Sequence, residues 1–309
     1  MTTQQVMQEI EQKLQAGLQS IQGKTILHTA PHHDDILLGY FPYALRNLAG
    51  NTNHVLYITS GANGVSDNYL AEYLSIQKED VALLDYTTKR ELKFRIREVE
   101  SEKKWSLCAG DQVQIQHFRA EFYESFVASS KSGQAMDRDI QRLIDYLEIV
   151  QPDIITMLVD PVGIGPSTHH RSQQVLTAAI AQWQSQSKQQ TASVEILGYR
   201  NVWSTFSLDE ASMIVCVSQD ELDKMESVFT QCFATQTTMF IVDDQMKNFA
   251  QEVTEIQKAQ LVDLTMLLNQ QGDLSDFPGI ATLQSPKVSG HEKSEGVIFL
   301  QKLTVPELQ

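Results

Sequence analysis

The chain has 309 residues and a hydrophobic share of 42%, enough for one large α/β domain, or a domain with a smaller appendage, around a full core. Its formal net charge of −15 and isoelectric point near 4.9 exclude nucleic acid and anionic membrane as main partners. No apolar run is long enough to span a bilayer, residues 1–22 lack a secretory signal pattern, and Cys108, Cys216 and Cys232 form no CxxC or disulfide framework, so a cytoplasmic protein with reduced thiols is expected.

Val6, Ile10, Leu14, Leu18 and Ile21 recur at helical spacing, and Gly23 ends that helix. Thr25–Ala30 reads as a strand, residues 37–48 as a helix with a thick apolar face, and residues 54–59 as a second strand. The polar stretch 61–88 reads as an excursion over a site rather than a sheet element. A charged helix (90–107), a strand (113–118) and an amphipathic helix (136–150) follow. Residues 153–159 are a near-continuous apolar run, which suits a central parallel strand covered on both faces. After the Gly/Pro loop 160–166 come a helix (about 169–184), a strand (194–199), two helical stretches (219–236 and 243–268) and a short strand (297–300). Strands alternating with helices predict an α/β fold: a Rossmann-like, doubly wound, mostly parallel sheet with additional C-terminal helices. The expected division is an N-terminal helix (1–22), the α/β domain (23–240), and a C-terminal helix and tail packed on the same domain (241–309).

Two clusters carry the chemistry. His32, His33, Asp34 and Asp35 follow the first strand, and Ser167, Thr168, His169 and His170 follow the 153–159 strand. In a parallel sheet both strand ends open on one edge, so residues far apart in sequence can meet there. One His and one Asp from the first cluster and one His from the second make a three-ligand site with an open position, the pattern of a catalytic metal. The cysteines lie far from these clusters in sequence, so N and O ligands are expected. A carboxylate beside the metal can take a proton from its water. The competing structural role for Asp34 or Asp35 is a helix N-cap.

Pro31-His32-His33-Asp34-Asp35 resembles the Pro-His-Pro-Asp-Asp signature of the PIG-L/LmbE family of zinc-dependent de-N-acetylases, which act on N-acetylglucosamine-containing molecules. Thr59-Ser60-Gly61 resembles the family's Thr-x-Gly, and Arg97 to Glu100 its Arg-x-x-Glu helix. Residues 160–169 resemble the second ligand loop. That loop, with Tyr199 to Trp203 after it, is most similar to the branch sometimes fused behind glucosamine-6-phosphate deaminase. The resemblance covers roughly residues 25–240.

It implies that His32 and Asp35 hold Zn2+ (or another divalent metal) and that Asp34 is the general base. The third ligand is His169 or His170. His169 as origin places Val175, Leu176 and Ala179 on one inward face, which favours it. Proline usually stands at the His33 position, which makes His33 a supporting or surface residue. Asp160 could orient a ligand imidazole, or simply turn the loop before Pro161. The family often has a His where Pro166 stands and an Asp where Thr168 stands, and often a Glu at Ile36. The group replacing that missing acid would come from His170, His291 or a tyrosine such as Tyr123. Arg97 and Glu100 read as a helical pair pinning their helix, and Trp105, Trp183 and Trp203 as core residues. The implied activity is metal-assisted hydrolysis of an acetamide on a small-molecule amino sugar, without nucleic acid or membrane partners and with homo-oligomerisation open. Its rivals are a metallo-phosphoesterase and a sugar-binding or regulatory module that has lost turnover, for which Pro166 and Thr168 speak.

Overall fold

The computed structural model describes residues 2–124, 132–186, 194–237, 240–242, 245–269, 277, 280, 283 and 293–308. Its strands are β1 (Thr25–Ala30), β2 (Thr52–Tyr57), β3 (Val113–His117), β4 (Ile154–Leu158), β5 (Glu195–Tyr199), β6 (Met213–Ser218), β7 (Phe240–Val242), β8 (Gln245–Lys247) and β9 (Ser294–Leu303). Seven form one sheet in the order β3-β2-β1-β4-β5-β9-β6. The first five are parallel, while β9 runs antiparallel to both β5 and β6. β7 and β8 form a separate antiparallel pair. The helices are α1 (Thr3–Leu18), α2 (Asp35–Arg46), α3 (Asp67–Leu74), α4 (Lys78–Leu83), α5 (Tyr86–Ala109), α6 (Glu121–Glu124), α7 (Ser132–Val150), α8 (Ser167–Gln186), α9 (Gln219–Cys232) and α10 (Phe249–Asn269). This is the mostly parallel α/β sheet that the alternation of elements predicted.

Alternate side chains of each strand feed two cores, one per sheet face. Leu56, Ile155 and Met157 meet Leu14 of α1, Leu143 and Leu147 of α7, and Val175 and Ile180 of α8. Val55, Tyr57 and Leu197 meet Leu37 and Phe41 of α2, Trp105 of α5 and Phe229 of α9. β4 is buried along its whole length, as its near-continuous apolar run requires. β3 alternates half-buried and exposed residues, Gln114 and Gln116 being exposed, which suits an edge strand.

From β1 the chain crosses through α2 to β2 and β3, then returns to the other side of β1 to lay down β4. The crevice between the carboxyl ends of β1 and β4 is therefore the topological switch point, where α/β sheets bind ligands. Thr29 locks this seam by donating from Oγ1 to the Thr156 carbonyl at 2.5 Å. On the far flank, Gly39 lets α2 press against β5, since a Cβ there would lie 2.4 Å from the Tyr199 ring.

Several boundaries differ from the sequence expectation. α1 ends at Leu18, so Gly23, at φ +68°, turns the chain into β1 rather than capping the helix. The 61–88 stretch contributes no strand, as expected, but folds into α3 and α4 over a small core of Val65, Leu70, Val81 and Ile96. Helix caps from Ser66 to the Tyr69 N–H and from Asp85 to the Thr88 N–H start the helices on either side of α4. The 219–236 helix stops at Cys232, and the 243–268 helix starts only at Phe249, because β7 and β8 intervene. β6 carries a run, Met213 to Ser218, that was not assigned as a strand. Among the described residues no helix is long and apolar enough to cross a membrane, and the three cysteines are free.

Candidate metal centre

The turn after β1 places His32 and Asp35, and the first turn of α8 places His169, so that one ligand atom from each lies within 4.8 Å of the others. His32 Nδ1 is 3.1 Å from His169 Nε2. Asp35 Oδ2 is 3.6 Å from His32 Nδ1, and Asp35 Oδ1 is 3.6 Å from His169 Nε2. Bonds of about 2.0–2.1 Å from a tetrahedral metal would set its ligands about 3.3 Å apart, so the three side chains fit one face of such a site.

Each donor is held from behind. Asp35 accepts the His32 N–H at Oδ2 (2.7 Å) and the Asn201 Nδ2–H at Oδ1 (2.9 Å). His169 Nδ1 is 2.7 Å from Asp160 Oδ2, which leaves Nε2 as the inward lone pair. The Asp160 side chain is fully buried, and its second oxygen accepts from Ser204 Oγ at 3.2 Å. His32 Nε2 is 3.2 Å from Thr168 Oγ1, so a hydroxyl orients the second imidazole. The loop between β4 and α8 reaches this arrangement through Gly165, at φ +78°; a Cβ there would sit 2.7 Å from Asp160 Oδ2. Burial disfavours a charged His169 ring, but Asp35 and Asp160 outweigh it and raise its pKa. Burial pushes Asp35 the other way, and His169 and His32 overcome it to hold the carboxyl below its usual value.

Asp34 makes no capping bond from its side chain; its Oδ1 accepts from Arg97 Nη2 at 3.0 Å. Arg97 also donates from Nη1 to Glu100 Oε2 and to Thr235 Oγ1, both at 2.8 Å. The Arg97–Glu100 pair thus does more than pin α5, because it reaches across to the turn after β1. Burial raises the Glu100 pKa, partly offset by Arg97.

A cavity of about 310 Å³ opens over this centre. It is lined by His32, Asp34, Asp35 and His169, by Asn63, Tyr123, Thr168 and Gln236, and at one side by Trp203 and Phe249. The Tyr123 hydroxyl accepts the Asn63 N–H at 3.2 Å.

The remaining sequence candidates lie elsewhere. His33 is not a surface residue: it is fully buried outside the cavity lining, with Nε2 3.3 Å from His117 Nδ1 and its ring stacked 4.6 Å from Tyr57. Burial first, then nearby Arg97 and His117, drives its pKa well below the usual histidine value. His170 points away, with Nε2 3.1 Å from the Ile164 carbonyl. His291 lies outside the described residues. Trp105 and Trp183 are core residues at 1% exposure, but Trp203 is 44% exposed. Asn201 was missed; the signal for it was its place just past β5, in the Tyr199–Trp203 stretch already singled out.

No protein-family model matches the chain, and no curated protein does. Solved structures that align with the chain include a hydratase and deacetylases. The 4-carboxy-2-hydroxymuconate hydratase of Pseudomonas putida KT2440 aligns over 91% of this chain and 96% of its own, at TM-score 0.54 and 14% identity. The A40926 pseudoaglycone deacetylase aligns over 77% of this chain and 91% of its own, at TM-score 0.48 and 13% identity. Teicoplanin deacetylase, in a zinc-inhibited form, aligns over 77% and 93%, at TM-score 0.48 and 11% identity. At 14% identity the likeness to the hydratase speaks to the fold alone.

Proposed function

We propose that the chain is a cytoplasmic zinc-dependent hydrolase that removes the acetyl group from an N-acetylated amino sugar or its conjugate. The observation that carries this reading is the convergence of His32, Asp35 and His169 on one point of a cavity that Asp34 also lines. The resemblance of residues 31–35 to the de-N-acetylase signature supplies the substrate class. Zinc in that position would polarise the acetamide carbonyl and ease deprotonation of a water molecule near neutral pH.

Asp34 takes the proton of the attacking water, and Arg97 fixes the orientation of its carboxylate. The same carboxyl group then hands that proton to the leaving nitrogen, so Pro166 need not be replaced by a second acid. Tyr123, whose hydroxyl oxygen already accepts the Asn63 N–H, keeps its own proton for the carbonyl oxygen of the substrate. Asp160 and Thr168 hold the two imidazoles with one nitrogen of each facing the cluster. Thr168 therefore supports a working site rather than a lost one. A two-metal phosphoesterase is less well supported, since the described residues contain one such cluster of three.

The test is metal analysis together with acetate release from N-acetylglucosamine, its 6-phosphate and short chitin fragments. Asp34→Asn should keep its zinc and lose about 10²- to 10⁴-fold in rate. Because a hydratase shares the fold, hydration of 4-carboxy-2-hydroxymuconate is the control arm. Turnover there, or bound zinc with no acetate from any sugar, would sink the deacetylase reading.

A further inference from the structure

We propose that Trp203 is a stacking platform that selects amino-sugar substrates bearing a second flat, apolar face beyond the acetylated ring. A further sugar ring or an aryl group would supply that face. The inference rests on the deacetylase reading and adds to it what lies past the acetamide.

Of the three tryptophans, Trp105 and Trp183 are 1% exposed, whereas Trp203 is 44% exposed and lines the cavity. A large aromatic ring left half in water is costly unless something covers it. The ring does not float. Its centroid lies 5.9 Å from that of Phe249, at an interplanar angle of 57°. The Trp203 backbone N–H donates to Asn201 Oδ1 at 3.4 Å, and the Asn201 amide donates in turn to Asp35. One short segment after β5 therefore fixes both a metal-cluster carboxylate and the ring at the cavity edge. The β4–α8 loop comes close at the base of the side chain, where a Cβ on Gly165 would lie 3.5 Å from Trp203 Cβ.

Inside the cavity, a largely apolar lining carries polar groups at Asn63, Tyr123, Thr168 and Gln236, which can meet sugar hydroxyls. A cavity of about 310 Å³ stands at the lower end of small-molecule sites, roughly 300–1,000 Å³. It suits one ring with its acetamide, and a longer substrate has to leave across the rim. The C–H face of a sugar and the face of an aryl ring are both flat and apolar, and either can lie against the indole.

The experiment compares N-acetylglucosamine, its chitin disaccharide and its aryl β-glycoside on the zinc-loaded wild type and on Trp203→Ala and Trp203→Phe. Trp203→Ala should cut the ratio of kcat/KM for either extended substrate over the free sugar by about tenfold, mainly through KM, and Trp203→Phe should restore most of it. Unchanged zinc content shows that the variants are folded. A second readout needs no turnover. Since Trp203 is the one exposed tryptophan of the three, extended ligands added to the Asp34→Asn protein should blue-shift its emission and shield it from acrylamide. Shielding by the disaccharide alone, or by the aryl glycoside alone, identifies which face the platform takes. Shielding without acetate release in the wild type would support the platform and overturn the deacetylase reading. Equal losses on free and extended sugars, or no shielding by either extended ligand, would overturn the platform.

Discussion

Replacing Asp160 with asparagine should weaken zinc binding about 10- to 100-fold, or about 1.4–2.7 kcal/mol. Asparagine has nearly the same shape, and its carbonyl oxygen can still accept from His169 Nδ1, now 2.7 Å from the carboxylate. The change therefore removes a negative charge from a fully buried position without opening a cavity. What is lost is the charge that makes His169 Nε2 a stronger donor and keeps its tautomer fixed. Zinc titration against a competing chelator measures the affinity directly. A second signature comes from the metal-free protein, in which Asp35 and Asp160 raise the His169 pKa against burial. A histidine whose folded pKa lies above its unfolded value of about 6.5 contributes stability that is complete below that value and fades as pH rises through the folded pKa. The stability gap between metal-free wild type and Asp160→Asn should therefore be widest in acid and close on the alkaline side. Zinc affinity unchanged within about twofold would refute the reasoning and reduce Asp160 to a turn before Pro161.

Arg97→Met should cost about 3–5 kcal/mol in urea unfolding, because it leaves the Asp34 and Glu100 carboxylates buried without their shared cation; adding Glu100→Gln should recover part, and a loss under about 1 kcal/mol would contradict the network. Lys104 is fully buried, donates to the Tyr57 hydroxyl at 2.9 Å, and burial lowers its pKa from 10.5 to about 7. Between those values the unfolded chain holds a proton that the folded one has released, so stability rises with pH across that window and the full penalty applies below it. Lys104→Met should therefore gain most on the wild type below about pH 7, by a few kcal/mol, with the gap closing toward pH 10; a gap independent of pH in denaturation curves would count against it.

The parts of this molecule that could be read from its sequence are those whose signal is local. Thr25–Ala30 reads as a strand because it is apolar and ends at a ligand-rich turn, and Ile154–Leu158 because it is buried on both faces. The run Met213–Ser218 carries an equally apolar signal, but among the described residues its one sheet partner is β9, far along the chain, and nothing in its own spacing names that partner. β8 falls inside the expected 243–268 helix and β7 between two expected helices, because three-residue strands are too short to show a period of two. The candidate site divides in the same way. The two His/Asp clusters are local, and parallel strands bring their ends to one edge. Arg97 shows its i,i+3 partner Glu100 in the sequence, yet its bond to Asp34 spans 63 positions and depends on how α5 crosses the sheet. His33 is buried by Tyr57 and His117, which come from two other strands. Trp203 departs from the usual burial of tryptophan because it stands just past the end of β5, where the sheet opens on the cavity.

The place of β9 governs how the protein has to be made. Five parallel strands, and every residue of the metal cluster, are synthesised before the segment that fills the gap between β5 and β6. Until Ser294–Leu303 emerges, β5 presents a bare edge, and β6, which among the described residues pairs with β9 alone, has no sheet to join. A nascent or clipped chain thus carries two unsatisfied strands that can pair with those of another copy. Aggregation during synthesis, rather than loss of the metal cluster, is the failure this architecture invites, and a holdase that shields the β5 edge would raise the yield of folded protein.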